Sequence, residues 1–262
     1  MIAPALRSIG HGRSIRDKAT IAAHVATVAL FPIGIAFRRI GHPLPDPRRL
    51  LGGYVVSAEA GIFECPPSPS PFFLGVDSTY DVGVCRFVDG LTGGVFVDVG
   101  ASIGFIAVRA ARRVERVIAV EPHPERFAYL RRNVELNGLD NVECINCAVG
   151  DVDSTIALYD VDPTLGPHPL DVSTRRGRGL RYDVPQRRLD DLVSDDVSVL
   201  KIDVEGAEVG VLRGCERVLA GRPTLLVESL GGETVPQLRT LLPSYSFHEL
   251  DENNYLGSAR SI

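Results

Sequence analysis

One stretch, Val95–Phe105 (VFVDVGASIGF), restricts what this chain can fold into more than any other. Val95, Phe96, Val97 and Val99 are strand formers set around an acid, Asp98. Gly100 and Gly104 then bracket a short turn, and Ile106, Ala107, Ala110 and Ala111 follow at helical spacing. The pattern predicts a buried strand, a glycine turn and a helix start. Glycine is expected where the chain turns sharply or where backbone lies close to a ligand. The first N–H groups of the next helix are free to meet that ligand.

The spacing narrows the ligand. A dinucleotide-binding turn reads G-x-G-x-x-G. Here the order is D-x-G-x-x-x-G, with Ser102 in the middle. An acid ahead of the turn repels a pyrophosphate and suits a cationic amino group. S-adenosylmethionine carries an ammonium, a sulfonium and a ribose, and no phosphate.

Around this turn the chain alternates between strand and helix patterns. Strand 95–99 feeds a helix over 103–113, and strand 116–121 feeds a helix over 124–137. That helix has Pro124 in its first turn and Gly138 past its end. A strand over 142–149 follows, and strand 197–202 feeds a helix over 206–219. Strand 224–228 feeds a helix over 235–242, and two strands close the chain around Asn253 or Asn254. Such alternation implies a mostly parallel α/β sheet with helices on both faces. A helix over 79–91, with Ser78 or Thr79 near its N-cap, leads into the first core strand, and Tyr80 and Asp81 lie close in sequence to the main turn.

The chain has 262 residues, enough for one large α/β domain and an addition. We expect an extension over 1–76 and the main domain over 77–262. Within the extension, residues 1–50 are expected to be helical, and 51–76 to hold short β-structure as a lid or hairpin. Residues 19–37 are mostly apolar but are interrupted by His24 and Pro32. They are short for a spanning helix, which needs about 20 apolar residues. A packed helix is preferred, and an interfacial membrane helix is the second reading. The expected location is the cytoplasm, with peripheral membrane contact through 19–37 as the variant.

A net charge of −5 disfavours a general nucleic-acid binder. Five scattered cysteines point to a reducing compartment rather than a disulfide framework. Cys144 and Cys147 form C-x-x-C within one expected strand, where residues three apart face opposite ways, so both read as core residues. Between Asp151 and Asp195 the alternation lapses. Arg175, Arg176, Arg178, Arg181, Arg187 and Arg188 cluster there, as a solvated hairpin insertion or a basic rim for an anionic substrate.

The acids then fall into line. Asp98, Glu121, Asp203 and Glu228 each stand at or just past the end of an expected strand. In an open parallel sheet those ends line the ligand crevice. Glu121 lies where such folds place a ribose-binding acid, and a carboxylate can accept both ribose hydroxyls. His123 beside it is a candidate adenine contact or an exposed first-turn residue. The segment LKIDVEGAE, Leu200–Glu208, brings Lys201, Asp203 and Glu205 to another strand end.

These pieces carry a resemblance. FVDVGASIGF, VIAVEPHPERFAYLRRNVELNGLDNVECINCAVGD, RRLDDL and VLKIDVEGAEVGVLRG, in this order over about residues 80–230, resemble the FkbM-type family of S-adenosylmethionine-dependent methyltransferases. The resemblance implies the class I methyltransferase fold, a Rossmann-like seven-stranded sheet whose last strand is antiparallel. It implies S-adenosylmethionine contacts from Asp98, Gly100, Gly104, Glu121 and the strand end near Cys147 and Ala148, and Ser102, Phe105, Pro122 and His123 beside them are further candidate contacts. It implies methylation of a hydroxyl on a sugar, a glycan or a natural product, the acceptor being a small molecule or lipid-linked. Leu230 stands where many relatives carry a His, so no role for that His carries over.

Asp203 and Glu205 are the candidate catalytic pair, Glu205 preferred, to orient or deprotonate the acceptor. A metal held by the two lacks an evident third ligand, so none is expected. A nicotinamide dehydrogenase is disfavoured by the missing third glycine. Carboxyl methylation of a uronic acid and a non-catalytic module of the same fold stay open as alternatives.

Overall fold

The structure is a computed structural model. It describes residues 9–26, 52–67, 81–160, 172–173, 180–204, 206–229, 232 and 234–259. The expected Ser78 or Thr79 cap, Tyr80, Arg175, Arg176, Arg178, Leu230, the catalytic candidate Glu205 and residues 27–37 lie outside the described residues. The chain divides into two compact units, Met1–Tyr80 with Tyr159–Arg181, and Asp81–Leu158 with Tyr182–Ile262.

In the first unit, β1 (Tyr54–Ala58) and β2 (Gly61–Cys65) form an antiparallel hairpin. Residues 15–26 are helical. Ser14 and Asp17 start that helix reciprocally: Ser14 N donates to Asp17 Oδ2 at 2.9 Å, and Asp17 N donates to Ser14 Oγ at 3.1 Å. Asp17 Oδ1 also accepts from Val55 N at 2.9 Å, tying helix to hairpin. His24 is buried with Nε2 3.0 Å from the Gly52 carbonyl oxygen, so it serves the interior of this unit. Among the described residues no helix is long and apolar enough to cross a membrane.

The second unit is built on a seven-stranded sheet. Its strands are β3 (Val95–Val99), β4 (Arg116–Val120), β5 (Val142–Ile145), β10 (Val197–Ile202), β11 (Thr224–Glu228), β12 (Tyr245–Glu249) and β13 (Asn254–Ala259). They lie in the order β12, β13, β11, β10, β3, β4, β5. β10 and β11, β10 and β3, β3 and β4, and β4 and β5 are parallel, while β13 runs antiparallel to both neighbours. Phe96, Val97, Ile118, Val120, Leu200, Ile202, Leu225 and Val227 are buried, as a sheet covered on both faces requires. From β3 the chain winds outward through β4 and β5, and β10 and β11 are laid down on β3's other side. The switch point is therefore the gap between β3 and β10, where such sheets open a ligand crevice.

Among the described residues, seven helices of this unit flank these strands: α1 (Val82–Asp89), α2 (Phe105–Ala111), α3 (Pro124–Leu136), α4 (Leu189–Leu192), α5 (Glu208–Arg213), α6 (Glu216–Ala220) and α7 (Val235–Leu241). Three expected boundaries change. α1 starts at Val82 because Asp81 is in the left-handed conformation, φ 45. α2 starts at Phe105 because Gly104 is left-handed too, φ 90. The single helix expected over 206–219 is two, α5 and α6. A Cβ on Gly214 would lie 1.9 Å from the Gly150 carbonyl oxygen, so the backbones touch where the helix breaks. Asp190, from the RRLDDL segment, then accepts from Arg217 N at 2.9 Å and Val218 N at 3.1 Å and caps α6 from outside.

The strand expected over 142–149 also divides. β5 ends at Ile145, and β6 (Ala148–Val149) leaves to pair with β9 (Arg181–Arg187). Asn146 causes the break. Its Nδ2 donates to the carbonyl oxygens of Glu121 and Pro122 at 2.8 and 3.1 Å, stapling this bend to the loop after β4. Cys144 is half-buried and Cys147 buried, both free thiols. The remaining strands are β7 (Ser154–Asp160) and β8 (Val172–Ser173), paired through Tyr159 and Asp160. Of the arginines in this region, Arg188 donates to the Asp151 carbonyl oxygen at 2.9 Å and Arg187 lies 3.8 Å from Asp153, so both are engaged locally.

Candidate active site

The parallel register brings Lys201 and Asp98 side by side on β10 and β3. Both are buried. Lys201 Nζ donates to Asp98 Oδ1 and to Asp203 Oδ2, each at 3.1 Å. Lys201 and Asp203 are two residues apart, so a strand and its extension present them to the same face. Burial lowers the Lys201 ammonium, but Asp203 and Asp98 outweigh it and hold its pKa above the ordinary range. Burial likewise raises Asp203, but Lys201 and a side-chain hydrogen bond to Glu228 overcome it and leave its carboxyl below the usual value.

Asp98 is left half-satisfied. Its Oδ2 is buried with no hydrogen-bond partner among the described residues. Burial pushes its carboxyl up and Lys201 pulls it back only in part. One more cationic donor at Oδ2 would complete it, since an unmade hydrogen bond in a buried site costs about 1–3 kcal/mol. An ammonium meets that need and a phosphate does not.

Glu121 follows β4 and is buried. Oε2 accepts from Ser102 N and Oε1 from His123 N, both at 2.8 Å. Each oxygen keeps a second lone pair, which two neighbouring hydroxyls can use. Burial raises the carboxyl, with Arg126 and the two backbone donors opposing. Ser102 is itself left-handed, φ 52, which aims its N–H at Glu121.

The two motif glycines serve the protein's own packing. A Cβ on Gly100, at φ +85, would lie 1.8 Å from the Asp203 carbonyl oxygen, and one on Gly104 would lie 2.7 Å from Leu130 Cδ1. Each also makes a close approach within the protein, to β10's end and to α3. Phe105 is the first residue of α2. Pro122 accepts from Asn146. His123 is buried as the N-cap of α3, accepting from Arg126 N at 3.4 Å, which replaces the exposed first-turn reading. Its ring meets the Tyr182 ring edge-on, centroids 4.5 Å apart. Cys147 and Ala148 are buried at the bend beside the loop after β4.

Sequence reasoning placed the strand-end acids but gave Lys201 no role as their bridge. The alternation K-x-D opposite a buried acid of a neighbouring strand was the available signal. It also missed Asn254, whose Nδ2 donates to Asp81 Oδ1 at 3.1 Å, and the buried Glu208, which accepts from Gly206 N at 2.8 Å. Among the described residues no group of three or more His, Cys, Asp or Glu is arranged to hold a metal ion.

The seven-stranded sheet with its antiparallel β13, and with Asp98 and Glu121 at the ends of β3 and β4, is the class I methyltransferase architecture. A family model described as the methyltransferase FkbM domain matches residues 98–251, and the chain belongs to that family. It is 30% identical over 166 residues to Methyltransferase 1 of Beauveria bassiana, covering 54% of this chain and 64% of that protein. It is 27% identical over 154 residues to Methyltransferase sdnD of Sordaria araneosa, covering 46% of this chain and 60% of that protein. The chain therefore spans less than two thirds of the length of these relatives. Among solved structures, the methyltransferase FkbM from Methylobacillus flagellatus KT aligns with TM-score 0.44 and 22% identity, over 63% of this chain and 43% of that one.

Proposed function

We infer that the chain is an S-adenosylmethionine-dependent O-methyltransferase acting on a hydroxyl of a sugar, glycan or natural product, with residues 77–262 as its catalytic domain. The observation that carries this is the unpartnered, buried Oδ2 of Asp98 in a crevice whose acids outnumber its one lysine. Asp98 would hold the amino group and Glu121 the ribose, with the Gly100–Phe105 turn and the 122–123 and 147–148 segments walling the cofactor side. S-adenosylmethionine supplies the methyl group as an electrophile, so the protein's work is to position the acceptor, exclude water and receive a proton.

Asp203 and Glu205 are assigned to the acceptor side. Asp203 is committed to Lys201 and Glu228, and its carboxyl is held low, which makes it a hydrogen-bond acceptor that orients rather than a strong base. Incubation of the purified protein with methyl-labelled cofactor and a glycan or lipid extract tests the reading. Label transferred to a hydroxyl supports it. Failure of calorimetric titration to detect S-adenosylmethionine or S-adenosylhomocysteine overturns it.

A further inference from the structure

Asp81 stands ahead of α1 with a left-handed backbone, φ 45 and ψ 49, and its side chain does not cap that helix. Such a conformation is costly for most residues and least so for Asp and Asn, and it clusters at functional sites. Its Oδ1 accepts from Asn254 Nδ2 at 3.1 Å, and the same nitrogen reaches Asp251 Oδ1 at 2.7 Å. Asp251 is anchored in turn, its Oδ2 accepting from Gly83 N at 3.2 Å. Two elements, α1 and the β12–β13 turn, therefore aim this carboxyl together. Its Oδ2 has no hydrogen-bond partner among the described residues.

Asp81 lies toward Asp203, which the reading above assigns to the acceptor side. Asn254 is the register partner of Glu228 at the end of β11, and Glu228 is hydrogen-bonded to Asp203. The row Asp98, Lys201, Asp203, Glu228, Asn254, Asp81 thus crosses the strand ends from the switch point outward. At one end Asp98 Oδ2 waits, buried, for a cationic donor. At the other, Asp81 Oδ2 has no hydrogen-bond partner among the described residues.

We propose that Asp81 is the catalytic base of methyl transfer, with Asp203 orienting the acceptor and Asn254 and Asp251 positioning the base. This rests on the methyltransferase reading above. The acceptor oxygen forms its bond to the methyl carbon as its O–H bond breaks. The proton passes to Asp81 Oδ2, and the electron pair of the broken carbon–sulfur bond stays on sulfur. Asp81 then returns the proton to water. Burial, opposed by Lys201 and reinforced by Asp203 and Asp251, moves this carboxyl up to about 6. There it remains ionised at pH 7 and takes a proton more readily than an ordinary carboxylate. Lys201 and Asp203 face it from β10 and Asp251 from the β12–β13 turn, while the Asp89–Arg109 pair belongs to the far end of α1.

The test needs no acceptor. Sinefungin carries an amino-bearing carbon in place of the cofactor's methyl-bearing sulfur, and S-adenosylhomocysteine carries a neutral sulfur there. A carboxylate facing the transferred methyl group favours the first. The ratio of their affinities is measured on the full chain from pH 5 to 8, in wild type and Asp81→Asn. The expected preference for sinefungin rises between pH 5 and 7 in the wild type. In Asp81→Asn it falls by about tenfold, the weight of one charged hydrogen bond, with S-adenosylhomocysteine affinity kept. An unchanged preference in a folded Asp81→Asn protein overturns the proposal. Should that variant not fold, the wild-type titration decides, and a preference flat with pH overturns it. Wild type that binds neither compound overturns the methyltransferase reading itself.

Discussion

Ser102 and His123 both give their backbone N–H to Glu121, so this carboxylate organises two loops besides any ribose it holds. Glu121→Ala should weaken S-adenosylmethionine binding by roughly tenfold or more and cost about 1–3 kcal/mol of stability through the stranded donors. Titration calorimetry and urea denaturation on one sample read both, and full affinity in a folded variant would remove Glu121 from the site. Asp81 should behave oppositely. Its pKa of about 6 stands above the ordinary 3.8, so folding disfavours its charge, and that penalty grows as pH rises from about 4 through 6. Asp81→Asn is therefore expected to melt a few degrees above wild type at pH 7.5 and to converge with it near pH 4. A thermal scan at the two pH values checks the sign. Such residues were only partly legible. Asp98 and Glu121 announce themselves because a carboxylate ending an apolar strand is too costly to bury for packing alone. Lys201 does not, because its partner Asp98 is 103 residues away and only the strand register joins them.

At the scale of elements, the turn between β3 and α2 is held by its two glycines against different obstacles. Gly100 faces the Asp203 carbonyl oxygen, which is backbone and cannot yield, whereas Gly104 faces the end of the flexible Leu130 side chain. Gly104→Ala should cost about 1–2 kcal/mol, the penalty of a left-handed backbone alone. Gly100→Ala should cost more and displace the end of β10, lowering cofactor affinity as well. Denaturation midpoints in that order support this account, and equal midpoints would contradict it. The strands were legible from apolar runs ending in acids. The breaks at Asn146 and Gly214 were not. Periodicity runs straight through both, and each is imposed by a partner remote in sequence, the loop after β4 for one and Gly150 for the other.

For the whole molecule, a ligand that binds only the folded state raises stability by about 2.7 kcal/mol at a hundred times its dissociation constant. S-adenosylmethionine at that level should lift the melting of the second unit by roughly 5–10 °C, and no shift at any concentration would count against the crevice as its site. The link between Asp81 and Asn254 has a consequence of another kind. These residues are 173 apart, so on a ribosome the earlier one waits for the later. At about 5–20 residues per second that wait is roughly 10–35 s. Through that interval β3, α2 and β4 can be assembled, with Glu121 in place, while Asp81 lacks the amide that aims it. The hairpin that carries Asn254 therefore arrives after the strands and turn that carry Asp98 and Glu121, and only then is the Asp81 carboxyl held in place.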